Sequence, residues 1–108
     1  MTDLYGVLGQ AAPAAGVLAD IYTPPVGKVA HIRIAVANRA AVPDAFRVAL
    51  SVDGAAITTS HYVAYDMPIT ENDSVLSGPL VVNAGDIVRV YSSLGDLTFT
   101  VTGLEEDA

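Results

Sequence analysis

Hydrophobic and polar positions alternate with a period of two along most of this chain. From Lys28 to Asn38, residues Ala30, Ile32, Ile34 and Val36 fall on one face, while Val29, His31, Arg33, Ala35 and Ala37 fall on the other. That alternation predicts a strand with one face in a core. Phe46, Val48, Leu50 and Val52 repeat it against Arg47, Ala49, Ser51 and Asp53, and Leu97, Phe99 and Val101 repeat it against Thr98, Thr100 and Thr102. Two segments, Ile21 to Asn38 and Leu76 to Tyr91, each place a Pro/Gly turn before such a run. They are expected to pair over a long sequence distance.

Turn signals divide the rest. Asp3 to Gln10 reads as a first strand or an arm, followed by the small-residue linker Ala11 to Gly16. Val17 to Thr23 is the next strand, and Pro24-Pro25 ends it, because neither proline has an N–H to give to a ladder. Asp53-Gly54 suits a hairpin turn, and Tyr62 to Asp66 is the clearest part of a strand between Ala56 and Met67. Glu71 to Ser74 and Ala84 to Asp86 are turns, and Gly78-Pro79 is a kink. The resulting fold class is all-β, a single jelly-roll-like antiparallel β-sandwich of about eight strands. Residues 1–16 form the arm or first strand, 17–104 the sandwich, and 105–108 an acidic C-terminal tail.

Composition sharpens this picture. A chain of 108 residues with 52% apolar content supports one core, and 6% aromatic content without Trp makes that core one of Val, Ile, Leu and Ala. The absence of Cys removes disulfides and thiolate metal sites. No apolar run approaches the roughly 20 residues of a membrane helix, and Met1 to Tyr5 lacks the basic start of a signal peptide. A soluble chain with no membrane partner is expected.

The net charge of −7 is unevenly placed. Asp3, Asp20, Asp44 and Asp53 balance Lys28, Arg33, Arg39 and Arg47 in residues 1–65. Asp66, Glu71, Asp73, Asp86, Asp96, Glu105, Glu106 and Asp107 face only Arg89 in the remainder. No basic field exists for phosphate, so no nucleic-acid partner is expected.

Candidate chemistry is sparse. His31 and His61 are the only histidines, too few for a zinc centre that wants three or more converging ligands. Asp66, Glu71, Asn72 and Asp73 offer hard oxygens, but at no calcium-loop spacing, and read as turn residues. No nucleophile elbow or phosphate-binding glycine loop is present. Neither enzymatic activity nor a cofactor is expected. The tyrosines are the remaining candidates, since Tyr joins a broad apolar ring to a polar tip. On a regular strand Tyr62 and Tyr65 have opposite parity, which argues against a shared carbohydrate platform. Leu4, Tyr5, Val7, Leu8, Tyr62 and Tyr65 are the candidate interface residues.

The order Ile21 to Ala30, Ile34 to Asn38, His61 to Asp66, Asn83 to Tyr91 and Phe99 to Glu105 resembles small β-sandwich virion structural proteins of tailed bacteriophages. The resemblance spans about residues 20–105 and rests on turn and strand signatures. It implies a capsid decoration (cement) protein in the virion, forming a homo-oligomer, expected to be a trimer, on the major capsid protein or another virion protein. A neck, tail or fibre component, acting as an adaptor or a host-surface glycan-binding module, is the alternative it implies.

Overall fold

A computed structural model describes residues 4–108. Eight strands are formed: β1 (Leu4–Ala11), β2 (Ala19–Tyr22), β3 (Lys28–Asn38), β4 (Asp44–Ser51), β5 (Tyr62–Ile69), β6 (Ser74–Asn83), β7 (Ile87–Ser92) and β8 (Leu97–Asp107). They make two four-stranded sheets, β1-β8-β3-β6 and β2-β7-β4-β5, with every ladder antiparallel. We call them sheet A and sheet B. The pairs β1·β8, β2·β7, β3·β6 and β4·β5 are those of one long two-stranded ribbon wound on itself. That winding is the jelly roll, and it pairs the two segments carrying the Pro/Gly turns, through β3·β6 and β2·β7.

The core sits between the sheets where the period of two places it. Ala30, Ile32, Ile34 and Val36 of β3 are buried with Leu97, Phe99 and Val101 of β8 and Val82 of β6. Sheet B answers with Phe46, Val48, Val88 and Val90. Phe46 and Phe99 meet edge to face across the layers, ring centroids 6.3 Å apart. Glycine closes the sandwich at one end, since a Cβ on Gly9 of β1 would run into the carbonyl oxygen of Ile21. The strand crosses its neighbour's backbone only because that atom is missing.

Buried polar groups fix the loops. Asp44 accepts hydrogen bonds from Ser92 Oγ at 2.8 Å and from the Leu94 amide at 3.0 Å, tying the β7–β8 turn to the start of β4. Asp86 accepts from the amides of Asp53 and Asn83. Asn38 donates to the carbonyls of Val42 and Thr70 and accepts from the Ala40 amide. Each side chain supplies a loop with bonds that no ladder can give it.

Some details go beyond the reading of the sequence or differ from it. Asp53-Gly54 does reverse the chain with positive φ, but within a 3-10 turn, Val52–Gly54, that exposes Val52 and leads into a long link to β5. Residues 105–107 are not a tail: they belong to β8, and Glu105 is only 8% exposed. The segment 4–11, read as a first strand or an arm, is laddered to β8; residues 12–16 lie in the link to β2, and residues 1–3 lie outside the described residues. Tyr62 and Tyr65 share one face, for a reason given below.

Candidate functional site

The two outer faces are chemically unlike. On sheet A, register aligns Tyr5, Leu104, His31 and Val81 in one row across β1, β8, β3 and β6. Val7, Thr102 and Arg33 form a second row, and Gln10, Thr100, Ala35 and Leu76 a third. Tyr5, Val7, Leu76 and Val81 are 78%, 60%, 62% and 54% exposed. Between them lies a hollow of ≈ 330 Å³ against Tyr5, His31, Arg33 and Pro79. Exposed apolar side chains of this kind, interspersed here with Gln10, His31, Arg33, Thr100 and Thr102, are what a protein normally covers.

Charge on this face is light. On it His31 Nε2 lies 2.7 Å from Glu106, whereas the pair of Lys28 Nζ and Asp107, 2.6 Å apart, sits at the strand ends on the core-facing parity. Arg33 has no carboxylate partner among the described residues. Of the candidate residues on β1, Tyr5 and Val7 point outward here. Leu4 is exposed at the strand's start, on the row of Glu105 and Ala30. Leu8 differs from expectation: it sits at a register shift between Val7 and Gly9 and packs against the core.

The outer face of sheet B is built from ion pairs and tyrosines. Asp20, Arg89, Ala49 and Tyr62 align in register, and Arg89 Nε reaches Asp20 at 2.8 Å. Arg47 grips Asp66 through Nε at 2.6 Å and Nη2 at 3.3 Å. Its guanidinium also lies over the rings of Tyr65 and Tyr91, 4.1 and 4.3 Å from their centroids. The Asp66 carboxylate raises the pKa of this guanidinium further above its already high ordinary value.

Strand β5 departs from regularity where these groups meet. The register against β4 runs Phe46↔Met67, Val48↔Ala64 and Ala49↔Tyr62, so one extra residue is inserted at each of two steps. Each bulge shifts parity by one. The insertion between Tyr62 and Ala64 brings Tyr62 and Tyr65 to one side, with ring centroids 4.9 Å apart at 83°. Asp66 takes φ 51°, in the left-handed region that side chains with a Cβ rarely adopt. Sequence periodicity missed this cluster, because a bulge has no signature in a two-residue alternation.

The remaining candidates lie apart. His31 is on sheet A, whereas His61 ends the 3-10 turn Thr59–His61 before β5, where its Nδ1 accepts from the Thr58 amide at 3.0 Å. Asp73 accepts from Thr70 Oγ1 and the Ser74 amide, a turn role, while Asp66 is held by Arg47. Among the described residues no three His, Cys, Asp or Glu side chains converge in a way that could hold a metal ion. No protein-family model matches the chain, and no curated protein matches it.

Proposed function

We propose that this chain is a non-enzymatic structural protein of a phage virion, a capsid decoration protein that binds and stiffens the head lattice as a homotrimer. One observation carries the reading: the outer face of sheet A leaves Tyr5, Val7, Leu76 and Val81 uncovered along its two edge strands. Burial of such a face between copies supplies a driving force of roughly 25 cal/mol per Å² of apolar area. Its apolar residues lie at both edges, on β1 and on β6, so one copy's β1 edge would meet the next copy's β6 edge. A contact between unlike edges makes a ring when the rotation between copies closes, and a trimer is the ring proposed. Repetition on a lattice then turns modest contacts into firm attachment. The virion setting rests on the resemblance of the strand and turn segments.

Two measurements test the two halves of the proposal. Light scattering should give a trimer for the parent and a monomer for Val81→Asp, with unchanged far-ultraviolet dichroism; a monomeric parent sinks the self-association. Quantitative gels of purified particles should give hundreds of copies. A handful of copies favours a neck, tail or fibre component instead.

A further inference from the structure

The double bulge in β5 does more than turn two tyrosines to one side. It opens a hollow of ≈ 450 Å³ on the outer face of sheet B, lined by Thr59, Tyr62 and Tyr65. The two rings stand at 83°, which makes a corner with apolar walls. Bulges re-aim side chains beside functional sites.

We propose that this corner binds a neutral pyranose, the terminal or side-branch sugar of a glycan. The apolar C–H face of a pyranose matches a tyrosine ring in size and stacks on it by dispersion. Its hydroxyls need donors and acceptors set close together. The Arg47–Asp66 fork beside Tyr65 presents both: the guanidinium has N–H groups beyond the two given to Asp66, and the carboxylate has lone pairs beyond the two it uses. The phenol groups of Tyr62 and Tyr65 and the Thr59 hydroxyl make no hydrogen bond among the described residues.

Charge selects among ligands. Arg47 and Asp66 cancel, so their fork carries no net charge to favour an anion or a cation. An apolar ligand would leave the rim of hydroxyls and the ion pair unanswered. A neutral polyol with one apolar face answers both. The site is shallow and open, and Tyr65 is 55% exposed, which suits millimolar affinity for a single sugar and a gain by multivalency on an oligomer.

The test is an amide-shift titration of the isotope-labelled full chain with the methyl glycosides of D-galactose, D-glucose and D-mannose as probes. At least one should give saturable shifts confined to residues 59–66 and Arg47. Tyr65→Ala, at an exposed position that leaves the core intact, should weaken binding at least about tenfold, and Asp66→Asn should weaken it several-fold. Val81→Asp, on the opposite sheet, should bind as the parent does, which separates this site from the assembly surface. The proposal falls if no probe saturates, if glycerol reproduces the shifts, or if Tyr65→Ala binds like the parent. It also falls if a proline-rich peptide shifts these amides while the sugars do not.

Discussion

The phenol of Tyr22 donates a hydrogen bond to the carboxylate of Glu105, joining β2 of sheet B to β8 of sheet A at the edge of the core. Both residues are buried, Tyr22 at 9% exposure and Glu105 at 8%. A carboxylate in that position needs its donor, because burial without one costs more than the bond itself returns. Tyr22→Phe should therefore lower stability by about 1–3 kcal/mol, read as a lower urea midpoint with an unchanged slope. An unchanged midpoint would mean that Glu105 finds water instead.

The same pair sets an alkaline limit. Burial first, and the hydrogen bond and charge of Glu105 second, push the Tyr22 phenol well above its ordinary value of about 10. Below that value the phenol is protonated in both states and contributes no pH dependence. Above it the unfolded chain loses a proton that the native chain keeps, so the unfolded state binds fewer protons and stability falls as pH rises. Urea unfolding at about pH 9 and about pH 11 should show this loss in the parent, and a smaller one in Tyr22→Phe. Tyrosinate absorbance should show one of the five tyrosines resisting titration until the fold is lost.

Gly9→Ala should displace β1. The new Cβ meets the Ile21 carbonyl oxygen, a rigid backbone atom that cannot rotate away. We expect a loss of about 1–3 kcal/mol, together with faster amide exchange in residues 4–11. Normal exchange there would show that β2 yields.

Ser51→Ala should not harm the protein. Its hydroxyl is fully buried and has no hydrogen-bond partner among the described residues. Removing it relieves an unpaired polar group, so thermal stability should stay level or rise by about 1 kcal/mol. A clear loss in calorimetry would reveal a hidden partner.

The alternation of β3 and β8 made their buried faces legible in the sequence, since nothing interrupts the period of two along either core face. Proline and glycine marked the chain reversals for the same local reason. What stayed hidden was non-local. Glu105 reads as part of an acidic tail until Tyr22, eighty-three positions earlier, is placed against it. Tyr62 and Tyr65 read as opposed until the ladder with β4 inserts its extra residues. Val52 keeps the parity of a core residue, yet the 3-10 turn that starts with it takes it out to solvent. The candidate surfaces therefore depended on register and loop path, which single-strand patterns do not carry.

The single wound ribbon has a consequence for how this chain acquires its structure. Its innermost pair, β4·β5, can close first, because the link of residues 52–61 is shorter than the chain between the strands of any other pair of the ribbon. Each later pair spans a longer loop, and β1 meets β8 only when Leu4 finds Glu105. Closing such loops costs entropy before the contacts repay it, which places this topology among slow folders. On the ribosome, β1 and β3 wait for β8, with the edges that pair with it open until residues 97–107 emerge. The order of synthesis thus leaves β1 waiting longest for its partner of the eight strands described, and folding yield should depend on what shields it meanwhile.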